Sequence, residues 1–318
     1  MPGWPTVTTW NRTLDAAGIT APGLREDYAQ ARSTVAGFKR DAYLAVRLLV
    51  APELVPHVLA ATAFMHRTDD LLDSGSPDRR PEAYAGWERE VRAALDGDGT
   101  AGLPLVRALR HSCAAHPVLR PHITAFLDTA RTDLEFTGFR SEADYQHYID
   151  AYSLPALMVV ACLLAPVDPD GRVDAGFRAA CRTYIDGSQR LDFVNDLAED
   201  LAADRLTVPE DALKRYGVTR EDLAAGRATA EVRALLGQLL GQARASLEAG
   251  RGLAGLTAPV NRPLVRALVG LDLLTAREAA DAGDALLRGP LRPSVPAALG
   301  LLLREHRAAR RARRRPGD

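Results

Sequence analysis

The sequence predicts an all-α fold, and three observations carry the prediction. Apolar residues recur at helical spacing along most of the chain. Alanine, leucine and arginine, all good helix formers, are abundant. Alternating apolar–polar runs, which a half-buried strand needs, are hard to find.

Taken in order, the first periodic run covers Arg25–Leu49 and leaves residues 1–24 as an N-terminal extension. Pro52–Asp73 follows, stopped by the turn-forming stretch Ser74–Arg80. Pro81–Leu95 ends in Asp96–Gly102, whose Gly and Asp content marks a surface loop. Next come Pro104–Ala115, Pro117–Phe136, Glu142–Leu164 and Ala175–Asp204. Ala230–Ala249, Asn261–Leu274, Ala276–Arg288 and Pro296–Arg313 complete the set. Several of these runs open on Pro, or follow Ser or Asp, as helix N-termini do. Neither loop has the length of a domain linker, and no repeat of solenoid period is present. Residues 1–318 are therefore read as one helical domain, with 304–318 as a basic C-terminal tail.

A chain of 318 residues can bury a large core, and 47% hydrophobic content is ordinary for a globular protein. A net charge of −1 supplies no whole-molecule field for nucleic acid, so no nucleic-acid partner is expected. Cys113, Cys162 and Cys181 lack zinc-type spacing, and an odd count argues against a disulfide framework. The N-terminus has no basic-then-apolar signal pattern, and the apolar run Leu157–Pro166 is too short to span a bilayer. The expectation is a cytoplasmic protein. Its basic tail reads first as a solvated end and second as a weak peripheral contact with anionic membrane lipid. Oligomeric state is not legible.

Chemistry is concentrated in two acidic stretches. In the first, His66, Asp69 and Asp73 share one helical face. Like charges one turn apart repel unless a cation lies between them, and magnesium suits oxygen ligands when a substrate brings phosphate. A lone cluster of this kind is more often simply solvated. The second is sharper: Gln189, Asp192, Asp196, Glu199 and Asp200 make a polar face opposite Leu191, Val194, Ala198 and Leu201. No basic residue at i+4 neutralises it, whereas a solvated face usually alternates sign. Facing each other across a helical bundle, the two clusters could hold magnesium, and the metal could hold a diphosphate. Loss of that diphosphate in an apolar pocket leaves an allylic cation, which aromatic faces stabilise. Phe38, Tyr43, Phe64, Tyr148, Tyr152 and Phe193 are candidates, each also readable as plain core.

These stretches resemble the squalene/phytoene synthase family. Asp196, Glu199, Asp200, Arg205 and Pro209 match the spacing of its second aspartate-rich motif, and Gln189 matches a glutamine on the same helix. Asp69-Asp70-Leu71-Leu72-Asp73 is similar to its first motif, and Arg131-Thr132-Asp133-Leu134-Glu135 to its short R-x-D-L-E segment. Pro155 stands where some relatives have proline in a kinked helix. The likeness runs from about Phe38 to the C-terminus.

The resemblance implies the isoprenoid synthase (class I terpenoid synthase) type of bundle with a central cavity. Asp69, Asp73, Asp196 and Asp200 would be catalytic and would hold magnesium, with manganese as a substitute. His66, Arg67, Asp133, Gln189, Asp192, Glu199, Arg205, Phe64, Tyr152 and Phe193 would contact the isoprenoid diphosphate. The implied reaction is head-to-head coupling of farnesyl or geranylgeranyl diphosphate to a squalene-, phytoene- or presqualene-type product.

Departures bear on this. Where the family usually has arginine before the first aspartate, His66 stands beside Arg67. The family's N-x-x-R-D reads Asp192-Phe193-Val194-Asn195-Asp196. Thr207 replaces an aromatic residue and Asp204 a glycine. Two readings follow: a divergent enzyme that cyclises a single prenyl diphosphate, as terpene synthases do, or an ordinary one in which Arg67, Arg40 or Arg190 compensates. A reading of another class is a non-catalytic helical scaffold with acidic faces. The run Gly250–Gly255 fits a dinucleotide-loop pattern but follows a helix rather than a strand, so it reads as a helix stop and loop, and NADPH is not expected. His111, His116, His122 and His147 show no metal-ligand pairing and read as surface or structural.

Overall fold

The computed structural model describes residues 8–97, 102–134, 136–168 and 170–314. Glu135, and parts of the N-terminal extension, the Asp96–Gly102 loop and the basic tail, lie outside the described residues. The described chain is helical, and its sole strand-like feature is an isolated bridge between Val167 and Val173.

The N-terminal extension is partly structured. Helix α1 (Trp10–Ala16) seats Leu14, with Ile19 beyond it, against Tyr28, Ala60 and Ala108. The expected first helix is two, α2 (Pro22–Phe38) and α3 (Arg40–Leu49), parted at Lys39, whose φ of −140° and ψ of 69° leave the helical region. Helix α4 (Val55–Asp73) carries the first acidic cluster, and α5 (Arg80–Asp96), α6 (Pro104–Ala115) and α7 (Leu119–Thr129) pack around it. The run expected to reach Phe136 tightens after α7 into a 3₁₀ turn, Ala130–Asp133.

Helices α8 (Glu142–Tyr148) and α9 (Leu154–Ala161) are joined by a π-helical turn, Ile149–Ser153. Pro155 has no N–H to continue the ladder, and the wider turn absorbs the lost bond. Helix α10 (Ala175–Asn195) starts where Asp174 accepts from the N–H groups of Gly176 and Phe177. The sequence pattern predicts that it runs to Asp204. Instead the chain bends at Asp196 and resumes as α11 (Leu197–Ala202).

Short helices α12 (Glu210–Tyr216) and α13 (Arg220–Ala224) lead to α14 (Ala230–Gly250). Short α15 (Leu253–Leu256) then occupies the expected loop. The two runs expected around residue 275 form one helix, α16 (Arg262–Ala282): Thr275 is no breaker, and its hydroxyl simply donates to the Leu271 carbonyl. A 3₁₀ turn, Gly283–Arg288, leads to α17 (Val295–Arg314).

A continuous core runs from Ala31 to Ala309, and each fully buried Leu or Phe in it is worth about 1.5–3 kcal/mol. Helices α10 and α14 approach most closely at glycine. A Cβ at Gly187 would lie 2.7 Å from the Leu247 nitrogen and 3.0 Å from the Ala243 carbonyl. This contact fixes α10, the helix that bears the second acidic cluster. Behind α4 sits a buried polar knot: the Tyr28 hydroxyl lies 2.7 Å from Ser112 Oγ, 3.0 Å from His111 Nδ1 and 3.2 Å from His57 Nδ1. His111 and His116 are thus structural, with His116 packed on His57 at 4.5 Å.

Candidate active site

Asp69 and Asp73 come from the last turn of α4, Asp196 from the α10–α11 bend and Asp200 from α11. Arg205 joins the two sets: its Nη1 donates to Asp73 Oδ1 at 2.8 Å. The backbone allows this by turning at Asp204, which has a left-handed φ of 61°, so that the Arg205 N–H bonds back to the Asp200 carbonyl at 2.8 Å. The Arg205 guanidinium lies over the Phe136 ring at 5.4 Å, and its Nε is buried without a partner. A buried cationic donor left open in this way suits an anionic ligand.

Water reaches Asp69 and Asp192, yet both lose hydration to surrounding protein. Carboxylates that are wet and hemmed in together line a recess. Burial raises the Asp69 pKa, the Tyr152 hydroxyl bonded to Asp69 Oδ1 opposes the rise, and Asp73 adds to it. Burial pushes Asp192 up to about 6, with Lys39 opposing and Asp272 reinforcing. Asp196 is also pushed up to about 6, by burial and then by Asp192, Asp200 and Glu199. Asp200 is raised by burial, against Arg205 and the Thr207 hydroxyl, 3.3 Å from its Oδ2. Asp133 rises to about 6 through burial, held back by the Tyr148 hydroxyl at 2.7 Å.

Aromatic rings form a wall between the two acidic sets. Tyr148 and Tyr152 lie 5.2 Å apart, Phe193 lies 6.0 Å from Tyr148 and 5.7 Å from Phe139, and Phe136 lies 5.3 Å from Tyr148. The tyrosine hydroxyls are spent on Asp69 and Asp133, so the polar tips face the carboxylates. Ser153 in turn donates to Gln189 Oε1 at 3.1 Å, tying the π-helical turn to α10.

The residues fit a hard divalent cation. Asp69, Asp133, Asp192, Asp196 and Asp200 all have raised pKa values, and among their causes the only opposing basic side chains are Arg205, Lys39 and His66. Among the described residues no three acidic, His or Cys side chains converge into a finished metal cage. An ion there would complete its shell with water or a bound anion, as magnesium does with phosphate oxygens.

Several expected contacts lie elsewhere. Phe64 is fully buried, its ring packed on Trp87 at 5.9 Å and Phe126 at 6.1 Å, so it supports the wall from behind rather than meeting substrate. Arg67 is paired with Asp70 at 2.8 Å, and both stand a step around α4 from Asp69. Arg190 is buried against Asp186, Glu142 and the Tyr145 ring, and cannot replace a missing diphosphate contact. His66 stacks on Phe38. Glu199 is exposed on α11 and acts on Asp196 through its charge.

Two residues of the recess were not anticipated. Lys39, exposed at the α2–α3 break, opposes through its charge the rise of the Asp192, Asp196 and Asp272 pKa values. Asp272 on α16 accepts from the Tyr184 hydroxyl at 2.9 Å, and burial raises its pKa. Asp272 had a readable signal, an acid set among Leu271, Leu273 and Leu274. Lys39 had none, because its neighbours read as helix interior.

A family model described as squalene/phytoene synthase matches residues 35–298. Among curated proteins, the bifunctional protein CrtB/UppS of Streptomyces coelicolor is 28% identical over 233 residues, 73% of this chain and 40% of that protein. Phytoene synthase of Thermus thermophilus is 37% identical over 190 residues, 59% of this chain and 61% of that protein. The chain thus spans less than two thirds of the length of these curated relatives. The crystal structure of squalene synthase HpnC from Alicyclobacillus acidocaldarius superposes with a TM-score of 0.71 at 26% identity, covering 87% of this chain and all of that one.

Proposed function

We propose a function from one premise: the chain belongs to the squalene/phytoene synthase family. It ionises a prenyl diphosphate, farnesyl or geranylgeranyl, and couples it head to head with a second one. The observation that carries this reading is the Arg205–Asp73 ion pair, which draws both acidic sets to one recess.

Asp69 and Asp73 on one side, and Asp196 and Asp200 on the other, would hold magnesium. When bound, the metal neutralises charge on the leaving diphosphate. Arg205 offers its open Nε to one diphosphate, and Lys39 offers its ammonium to a second at the Asp192–Asp196 end. The faces of Tyr148, Tyr152 and Phe193 stabilise the allylic cation, and the apolar wall keeps water from it. Tyr152 and Tyr148, held by Asp69 and Asp133, keep that wall in register with the carboxylates.

The test is incubation with magnesium and, separately, geranyl, farnesyl and geranylgeranyl diphosphate, followed by mass analysis of hydrocarbons and alcohols. A product of doubled carbon number, absent without magnesium and with Asp196→Ala, is expected. A product of unchanged carbon number would make the protein a cyclase. Absence of both product and pyrophosphate would return it to the scaffold reading.

A further inference from the structure

Eight large apolar side chains are exposed among the described residues, and five of them sit on adjoining elements: Phe38, Leu44, Val295, Leu299 and Leu303. The last three recur at intervals of four along α17 and are 69%, 42% and 41% exposed. The stripe stands away from Leu301 and Glu305, which α17 buries; beyond Leu303 the same side of the helix carries His306, which α3 covers. Leu44 lies one turn before Leu48, whose carbonyl is 3.1 Å from His306 Nδ1, so α3 and α17 share this surface.

The outward side of α17 changes character along its length. Beyond Leu303 it exposes Arg304, Arg307, Arg310 and Arg311, and no acidic residue follows Glu305 through Arg314. The groove beside α17, walled by α14 and α16, adds Arg233 and Arg244, while its Arg251 and Arg277 are paired with Glu248 and Asp281. An apolar stripe bordered by arginine is the pattern of a helix that lies in a membrane interface. No described helix is long and apolar enough to cross a membrane.

The patch also adjoins the recess. The Asn195 side chain, next to Asp196, holds both backbone groups of Leu291, at 2.8 and 3.1 Å, and a four-residue non-helical segment leads from there to Val295 at the start of α17. At the other edge Phe38 stacks on His66, three residues before Asp69.

We propose that this face docks on an anionic phospholipid bilayer, with Val295, Leu299 and Leu303 among the acyl chains and the arginines on lipid phosphates. The proposed function enters only as the purpose of docking, passage of a hydrocarbon product between recess and bilayer.

Flotation of the purified full chain with vesicles tests this. Vesicles of phosphatidylcholine mixed with phosphatidylglycerol are expected to carry the protein at least about tenfold better than phosphatidylcholine alone, and less well as salt rises. Leu299→Glu/Leu303→Glu should lose at least about tenfold in vesicle binding, with circular dichroism, melting and vesicle-free turnover unchanged. Arg307→Glu/Arg310→Glu should lose the preference for the anionic lipid. Wild-type protein that ignores the mixed vesicles, or a leucine variant that binds them equally, overturns the proposal. A dimer in light scattering that the leucine variant breaks, without vesicle binding, overturns it in favour of self-association. Flotation needs neither magnesium nor substrate, so its failure is separate from failure of the proposed reaction.

Discussion

Replacing Gly187 by alanine should destabilise the protein and disturb the recess together. The added Cβ would sit 2.7 Å from the Leu247 nitrogen, 2.9 Å from Leu247 Cγ and 3.0 Å from the Ala243 carbonyl. Ordinary contact begins near 3.4 Å, and two of these atoms are backbone, so α10 and α14 must part by several tenths of an ångström. Overpacking of this kind costs about 1–3 kcal/mol. Gly187 lies on the helix that carries Asp192, so turnover should fall with stability. Gly237→Ala is the matched control. It is on α14, exposed, with nothing within 4 Å of where a Cβ would stand, and should gain about 0.8–1 kcal/mol from helix propensity. Urea unfolding of both variants reads the contrast. Equal stability of Gly187→Ala and wild type would refute the claim that this glycine sets the helix spacing.

Arg205→Ala should cut pyrophosphate release by at least about a hundredfold, the usual scale for losing one charged contact to a developing anion, and Arg205→Lys should recover part of it; near-normal release by the alanine variant would remove Arg205 from the site. Asp204→Gly should raise the unfolding free energy by about 1 kcal/mol, read as a higher urea midpoint, since it relieves a left-handed φ of 61° and gives up only the exposed pair with Arg220. His57 titrates at about 3, lowered by burial and then by His116 and His111, against 6.5 when unfolded. The unfolded chain therefore takes the proton first, and stability present above pH 6.5 is lost as the pH falls toward 3, by at most about 5 kcal/mol. His57→Asn should flatten that acid limb in urea titrations; an unchanged slope would sink the assignment. Turnover should also fall below pH about 6, where Asp192 and Asp196 take up protons, and a pH–rate profile checks this.

Helix existence was legible because periodicity reports burial on one face. Helix breaks were less legible, because each depends on a contact or a missing donor. Lys39 interrupts an unbroken helical pattern, and nothing in Gly37–Asp41 announces it except a glycine. Pro155 was visible, yet its consequence is a π-helical turn rather than a stop, since the ladder on either side is held by packing. The bend at Asp196 has Asn195 beside it, committed to Leu291 nearly a hundred residues on. Short helices α12, α13 and α15 fall below the length at which a period can be read.

The site shows the same division. Acidic residues were legible by spacing, because the turns that align them are local. Of the cations, Arg205 was legible from its spacing after Asp200, and the others were not, because each is positioned by tertiary structure. Arg67 and Arg190 stand beside the motifs in sequence, but the first is held by Asp70 and the second by Asp186 and Glu142. Lys39 is remote from both motifs in sequence and reaches the second only because the chain breaks between α2 and α3. The recess thus has its positive charge at two ends: Arg205 near Asp73, and Lys39 near Asp192 and Asp196. Arginine gives a planar, directional fork, whereas lysine is a compact point charge on a flexible stem. A diphosphate at the Arg205 end would be oriented, and one at the Lys39 end held by charge. Two anions held in different ways are what head-to-head coupling asks of a site, since one diphosphate must leave first. Lys39→Ala should therefore weaken the dependence on the second substrate molecule more than the first ionisation. In the pyrophosphate assay that appears as release without doubled-carbon product. Equal loss of both would mean that Lys39 serves the recess as a whole.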